Sequence, residues 1–159
     1  MEKRPNLDQY WLSMLPLIAS RATCPRRAVG AVLTDKDGRL VASAYNGVAS
    51  GLQQCTDIPC AGAPALGGER SKCEAIHAEA SVLMQAYGSR RLPHTLYCSL
   101  TPCFSCSKLL LAAGVQEVVA AELYKHEDTG PKLLNKAGIL VWVWRNNERT
   151  PWRQMEDLS

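Results

Sequence analysis

The sequence predicts an α/β fold in which helices pack on a β-sheet that has both parallel and antiparallel strands. From Ile76 onward, segments with the apolar spacing of a helix alternate with short β-branched or apolar runs. Such a strand–helix–strand series produces neighbouring parallel strands that are covered by helices. Earlier in the chain, Asp37-Gly38 separates two apolar runs and predicts an antiparallel hairpin.

These patterns place the elements in chain order. We expect helices over Leu7–Ser20 (with Pro16 inside), Ile76–Tyr87, Cys103–Ala113 and Pro131–Ala137, and strands over Val29–Thr34, Leu40–Tyr45, Thr95–Ser99, Glu117–Ala121 and Ile139–Trp144. The polar tail from Arg145 predicts an edge or an added turn. The segment Gly47–Ser71 holds five glycines and almost no periodicity. A loop of this length in a compact domain is usually functional or held in place.

Length and composition limit the classes to which the chain can belong. Its 159 residues predict one domain, 1–159, and 47% hydrophobic with 21% charged residues exclude a disordered chain. The sequence has neither the long apolar run of a membrane span nor a signal peptide, so we expect a cytoplasmic protein that does not enter a membrane. A net charge of +3 gives no reason to expect a nucleic-acid partner. Seven cysteines in a reducing compartment indicate metal ligands or catalytic groups rather than disulfides.

Two short motifs carry the candidate chemistry, His77-Ala78-Glu79 and Pro102-Cys103-Phe104-Ser105-Cys106. One histidine and two cysteines give a zinc ion three ligands and leave a fourth position for water. Glu79 would then be placed to move the proton of that water. Alone, the first motif is more often a helix start, and the second a redox pair or half of a structural zinc site. Together, with a strand between them, they form the signature of zinc deaminases that act on nucleobases.

Four further cysteines precede the first motif and flank or lie within the long loop. They are Cys24, Cys55, Cys60 and Cys73. A second, structural zinc held by these four would explain the length of the loop. The alternative is that some of them are small buried residues and one is free. With six thiolates and two zinc ions, the net charge falls from +3 to about +1, which makes nucleic acid still less expected.

On these motifs the chain resembles the deoxycytidylate (dCMP) deaminase family, from about Trp11 to Trp144. The resemblance rests on Ser20–Val32, Tyr45-Asn46-Gly47, Ile76–Glu79, Leu100–Leu109 and Ala113-Gly114-Val115. It implies the cytidine-deaminase fold, which has three layers and a five-stranded mixed sheet with helices on both faces. It also implies zinc-dependent hydrolysis of dCMP to dUMP and ammonia, with Glu79 as the proton shuttle.

The resemblance also assigns roles to single residues. It implies substrate contacts by Asn46, Ala78 and Tyr124, with Arg26 or Arg27 near the phosphate. It further implies a homohexamer regulated by dCTP and dTTP through the loop after Tyr-Asn-Gly. The effector residues would be Asn46, Gly47, Ser50 and Gly51.

Several alternatives stay open at this point. Ser81 and Cys98 depart from the family pattern. Because Cys98 is close to the active-site strand, the substrate could be a 5-substituted cytosine nucleotide such as 5-methyl-dCMP. A deaminase of tRNA or single-stranded DNA would use the same zinc chemistry, but it would need a basic channel and stacking aromatics. A zinc module without catalysis would have no need for Glu79. His126, which follows a strand end, has no assigned role.

Overall fold

The computed structural model describes residues 4–64, 67–125 and 127–156, apart from the side chains of residues 155 and 156. The helices are α1 (Leu7–Ala19), α2 (Ala78–Ala86), α3 (Phe104–Ala112), α4 (Thr129–Lys136) and α5 (Arg153–Glu156), with a 3₁₀ turn at Arg70–Lys72. The strands are β1 (Gly30–Thr34), β2 (Leu40–Tyr45), β3 (Thr95–Leu100), β4 (Glu117–Glu122), β5 (Leu140–Arg145) and β6 (Glu148–Pro151). His126, left open above, lies outside the described residues.

The strands form one mixed sheet in the order β2-β1-β3-β4-β5-β6. The β3–β4 and β4–β5 pairs are parallel, and the other pairs are antiparallel. The sheet therefore has six strands and not the expected five, because the tail folds back along β5. Asn146 and Asn147 make that tight turn, with φ angles of 50° and 63°. Asparagine accepts this left-handed region more readily than most residues.

Helices cover both faces of the sheet, as predicted. On one face α1 packs through Trp11, Leu12 and Leu15 against alternate residues of β1, β3 and β4. The other face carries the larger core, to which α2 contributes Val82, α3 Leu110 and α4 Leu134. Successive side chains of a strand point to opposite faces, so each central strand supplies both cores. The result is a three-layer α/β fold with the motif helices α2 and α3 on one side.

A polar network joins the first helix to the last strand. The guanidinium of Arg149 on β6 donates to both carboxylate oxygens of Asp8 on α1, at 2.6 and 2.7 Å, and to Glu117 on β4 at 2.6 Å. Tyr97 on β3 donates its hydroxyl to Asp8 at 2.9 Å. Bidentate pairs of this kind are stronger than single ion pairs. The network therefore fixes α1 against the sheet edge that the tail completes.

Across the described residues, none of the helices combines the length and the apolar character that a membrane crossing requires.

Candidate active site

The two motifs meet where helices α2 and α3 begin. His77 is the N-cap of α2 and Cys103 is the N-cap of α3, while Cys106 lies in the first turn of α3. The helices start side by side because α3 follows β3 directly and α2 packs on the neighbouring strands. Unpaired backbone N–H groups at helix N-termini carry partial positive charge, which favours thiolates there.

The three side chains fit a zinc ion. The Sγ atoms of Cys103 and Cys106 lie 3.4 and 3.5 Å from Nδ1 of His77. Zinc bonds of about 2.0 to 2.3 Å in a tetrahedron separate a nitrogen ligand from a sulfur ligand by roughly 3.5 Å. Within the described ranges this is the one set of three ligand residues whose donor atoms all lie within 4.8 Å of one another. Of the three residues, His77 is exposed, Cys103 is half-buried and Cys106 is buried.

Hydrogen bonds within the trio shift the pKa values of all three side chains. The Cys106 thiol hydrogen-bonds to the Cys103 sulfur, and with His77 nearby this lowers the pKa of Cys103 to about 4. The same bond raises the pKa of Cys106. The hydrogen bond with Cys103 raises the pKa of the His77 imidazole. A lowered pKa favours the thiolate form of Cys103, which is the form that binds zinc.

Glu79 lies in the first turn of α2, two residues after His77. Its side chain is buried, with 5% of the residue exposed, and it faces the Cys106 thiol. Burial raises the pKa of this carboxyl because an isolated carboxylate is poorly stabilised away from water. A buried carboxyl beside three metal ligands is the arrangement that a proton shuttle needs.

A cavity of about 910 Å³ is lined by His77 and Cys103 of the trio and by Glu79. Its walls include every substrate residue predicted above, namely Asn46, Ala78, Tyr124, Arg26 and Arg27. The fold therefore brings together all five residues that the sequence analysis identified, although the sequence did not show how they are arranged around the cavity. Their roles toward a ligand stay predictions.

Asn46 also has a structural task within that wall. It is buried, its Oδ1 accepts the Val29 backbone N–H at 2.8 Å, and its Nδ2 donates to the Arg27 carbonyl at 2.8 Å. Asn46 therefore holds the segment that leads into β1. Any contact between Asn46 and a ligand would be made by a side chain that these two hydrogen bonds already hold in place.

The wall also contains two charged residues that the sequence analysis did not identify, Arg70 and Glu127. The Glu127 carboxylate accepts a hydrogen bond from the Phe104 backbone N–H at 2.6 Å and so caps the N-terminus of α3. Arg70 donates from Nη1 to the hydroxyl of Tyr124 at 3.0 Å. Neither lies in a recognisable motif, since Arg70 is in the loop that lacks periodicity and Glu127 in a short connection after β4.

The second group of cysteines forms two neighbouring pairs. The Sγ atoms of Cys24 and Cys73 are 4.0 Å apart, close to the roughly 3.8 Å expected between two sulfur ligands of one zinc. Cys55 and Cys60 are buried and hydrogen-bond to each other. Burial raises the pKa of Cys55 and of Cys73, whereas the Glu74 backbone N–H lowers the pKa of Cys60. The two pairs are close enough to influence each other's thiol pKa values. Unlike the donor atoms of the His77 trio, however, no three of these four sulfurs all lie within 4.8 Å of one another.

The expected effector residues divide between two surroundings. Gly47 bridges to Ile76 through two backbone hydrogen bonds of 2.9 and 3.2 Å, just before the zinc motif. Ser50 and Gly51 are exposed in a turn, where Gly51 has φ of 93°. Between them Val48 is buried against Cys55 and Cys60. The loop after Tyr-Asn-Gly is therefore packed onto the Cys55–Cys60 pair.

This fold and this trio define a zinc-binding domain of the deaminase type. Residues 5–122 match the family described as the cytidine and deoxycytidylate deaminase zinc-binding region, and the chain belongs to that family.

Individual relatives agree with the family. The chain is 35% identical over 144 residues to a deoxycytidylate deaminase of Saccharomyces cerevisiae, covering 87% of this chain and 45% of that protein. It is also 35% identical over 122 residues to a deoxycytidylate deaminase of a Mycobacterium phage, covering 73% of this chain and 94% of that protein. The chain thus spans less than half of the yeast relative's length.

A solved structure shows the same fold. The crystal structure of the dCMP deaminase of the cyanophage S-TIM5, in complex with dCMP and dUMP, matches with a TM-score of 0.71 at 25% identity. The match covers 90% of this chain and 100% of that chain. The cytidine-deaminase-like fold expected from the motifs is therefore confirmed.

Proposed function

We propose that the protein hydrolyses the C4 amino group of dCMP, giving dUMP and ammonia. The observation that carries this proposal is the His77, Cys103 and Cys106 trio beside the buried carboxyl of Glu79, at the floor of an open cavity. The relatives named as deoxycytidylate deaminases and the phage enzyme with bound dCMP and dUMP support this choice of substrate.

Zinc held by the trio would lower the pKa of a bound water toward 7 and so supply hydroxide at neutral pH. Glu79 accepts the proton of that water. It delivers that proton to N3 of the cytosine while the water oxygen bonds to C4. Glu79 then takes the remaining proton from the new C4 hydroxyl and passes it to the amino group, so that the C4–N bond breaks, C4 becomes a carbonyl, and one ammonia leaves for each water consumed. Its burial suits both steps, because a carboxyl with a raised pKa can hold a proton as well as release it.

A second zinc on Cys24, Cys55, Cys60 and Cys73 is part of the proposal. It is supported by the 4.0 Å separation of Cys24 and Cys73 and by the adjoining Cys55–Cys60 pair. The ion would hold the long loop against the start of β1. Its role is structural, since four sulfur ligands leave no position for water.

Regulation and assembly complete the proposal. We expect dCTP as activator and dTTP as inhibitor, acting through Asn46, Gly47, Ser50 and Gly51, in a homohexamer. The packing of Val48 on Cys55 and Cys60 supports a link between this loop and the second metal. A cytoplasmic location and a single domain over 1–159 stay predictions.

The test is a substrate panel offered to zinc-loaded protein, with mass spectrometry to detect the loss of an amino group. The panel holds dCMP, 5-methyl-dCMP, dCTP, deoxycytidine, CMP and a cytosine-containing oligonucleotide, each with and without added dCTP. Conversion of dCMP well above the oligonucleotide is the expected result. Faster conversion of the oligonucleotide would indicate a nucleic-acid deaminase instead. No conversion at all, with zinc present, would indicate a structural zinc module.

A further inference from the structure

The cavity wall contains three arginines, and their contacts separate their roles. Arg26, Arg27 and Arg70 all line it. A ligand that carries a phosphate requires a cation with free hydrogen-bond donors. The assignment of a phosphate-binding residue therefore depends on which guanidinium has N–H groups that are not already hydrogen-bonded to the protein.

Arg26 is occupied by the protein itself. Its Nε donates to the carbonyl of Gly62 at 2.7 Å, and its Nη2 donates to the carbonyl of Gly68. Both acceptors belong to the long loop between β2 and α2. Arg26 therefore ties that loop to the segment before β1, and its guanidinium is turned toward backbone rather than toward a ligand.

Arg27 is only weakly engaged, but an acidic group faces it. Its guanidinium lies 3.9 Å from a carboxylate oxygen of Glu122, with 51% and 71% of the two side chains exposed. An exposed pair at this distance contributes little energy. The carboxylate nevertheless reduces the positive potential that Arg27 presents to an anion.

Arg70 has donors left over and a fixed support. One Nη1–H is used by the Tyr124 hydroxyl at 3.0 Å, and the guanidinium carbon lies 5.9 Å from the centre of the Tyr124 ring. Within the described part of the chain, no carboxylate forms an ion pair with Arg70. A guanidinium has five N–H donors in a planar fork, so the remaining donors can face a ligand.

Tyr124 in turn is anchored close to the metal trio. Its backbone N–H donates to Oγ1 of Thr101 at 2.9 Å, and Thr101 is buried two residues before Cys103. The Arg70–Tyr124 pair therefore has a defined position relative to the floor of the cavity. Arg70 itself sits on the 3₁₀ turn Arg70–Lys72, directly before Cys73.

We propose that Arg70 is the specificity-determining residue for a nucleoside monophosphate, with its guanidinium donating to the phosphate and Tyr124 holding it in place. Arg26, which was predicted as one of two phosphate residues, is on this view a tether for the loop. The proposal deepens the proposed function and rests on it, since it names the residue by which that cavity would distinguish a nucleotide from a nucleoside.

The experiment compares Arg70→Gln, Arg26→Gln and the control Arg90→Gln, an exposed arginine outside the cavity wall. For each variant, kcat/KM is measured with dCMP and with deoxycytidine. Loss of charged hydrogen bonds to phosphate lowers kcat/KM about 10- to 100-fold. We expect Arg70→Gln to show this loss with dCMP alone, while deoxycytidine changes less than about twofold. Arg26→Gln should affect both substrates alike, and Arg70→Lys should recover part of the dCMP rate.

Equal losses on both substrates for Arg70→Gln, or no loss on either, would overturn the proposal. So would a selective dCMP defect in Arg26→Gln instead. Thermal unfolding of each variant checks that the fold is retained.

A binding measurement keeps this inference separate from the proposed reaction. Calorimetry compares dUMP, deoxyuridine and inorganic phosphate on wild-type protein and on Arg70→Gln, and needs no turnover. A weakening of dUMP alone supports the proposal even if dCMP is not the substrate. If inorganic phosphate and dUMP bound equally well, and both depended on Arg70, the site would bind anions without distinguishing the nucleoside. That result would overturn the proposal. If wild-type protein deaminates dCMP and Arg70→Gln binds dUMP normally, Arg70 is wrong and the proposed function stands.

Discussion

The two cysteine-containing clusters are built in opposite ways. His77, Cys103 and Cys106 come from the starts of two helices, and their donor atoms already lie 3.4 and 3.5 Å apart. The second cluster comes from a loop and the segment before β1, and its best-defined pair is separated by 4.0 Å. Helices and strands position side chains more tightly than loops do. The trio is thus organised by the fold, whereas the proposed second zinc would have to draw the loop cysteines closer together.

The strongest test of the trio is Glu79→Gln. The amide keeps the shape of the side chain but cannot take up a proton, so we expect kcat to fall about 10²- to 10⁴-fold. Zinc content, measured by elemental analysis, should not change, because Glu79 is not a ligand. Retention of wild-type turnover would show that another group moves the proton.

The strongest test of the loop cluster is Cys55→Ser. Cys55 is 2% exposed, and the loss of a metal ligand at such a position typically costs about 2–4 kcal/mol in the free energy of unfolding. We expect one zinc per chain in place of two, with a lower unfolding midpoint in urea.

Cys98→Ala is the matched control for Cys55→Ser, since Cys98 is a fully buried cysteine on β3 outside both clusters. It should keep both zinc ions. Two zinc ions in Cys55→Ser would contradict the assignment of Cys55 as a ligand.

Brief chelation should remove zinc from the two clusters at different times. The trio has three ligands and an exposed histidine, whereas the loop cluster offers four sulfurs, two of them buried. We expect a chelator to remove the ion of the trio first, so that activity disappears while circular dichroism stays unchanged. Released zinc, followed with a chromogenic indicator, should show two phases. Simultaneous loss of activity and structure would mean that the clusters are not independent.

The smallest effect concerns the scaffold, away from either cluster. The Asp35 carboxylate in the β1–β2 turn accepts the Arg39 and Asp37 backbone N–H groups at 2.9 and 3.0 Å and pairs with Arg91 at 2.8 Å. These contacts, the Arg39 bond foremost, hold the pKa of Asp35 below its ordinary value. A lowered pKa in the folded state stabilises the protein above about pH 4, and this stabilisation is lost as the pH falls through the folded value.

Asp35→Asn should therefore flatten the decline of unfolding free energy below about pH 4, as measured by urea titrations at several pH values. Zinc release in acid should not differ from wild type. A change in zinc release would mean that the turn and the clusters are coupled.

The sequence predicted what depends on local pattern. The alternation of helices and strands, and the pairing of His77 with Cys103 and Cys106, followed from periodicity and spacing. The tail from Arg145 forms an edge strand, which is one of its two predicted outcomes, but the expected count of five strands was wrong because it left this strand out. Asn146-Asn147 is the hairpin signal that marks it. These two asparagines form the turn that connects β5 to β6.

Other features depended on contacts between distant residues. Nothing in Arg26-Arg27 shows which guanidinium faces the loop carbonyls of Gly62 and Gly68. Arg70 meets Tyr124 across 54 residues, from a loop without periodicity. Positions of this kind are fixed by tertiary packing, on which local propensity has no bearing.

The bond between Asp8 and Arg149 has a consequence for biosynthesis. Its two ends lie 141 residues apart in the chain. At a synthesis rate of about 5–20 residues per second, Arg149 is added to the chain roughly 7–30 s after Asp8. During that interval Asp8 lacks this partner, and Trp11 can pack only on the strands already complete. The emerging chain therefore gains its last anchor for α1 only when β6 is finished. A stall in translation shortly before Arg149 would leave the first helix docked by apolar contacts, by the Tyr97 hydroxyl and by the Trp11 indole N–H, which donates to the Gly38 carbonyl.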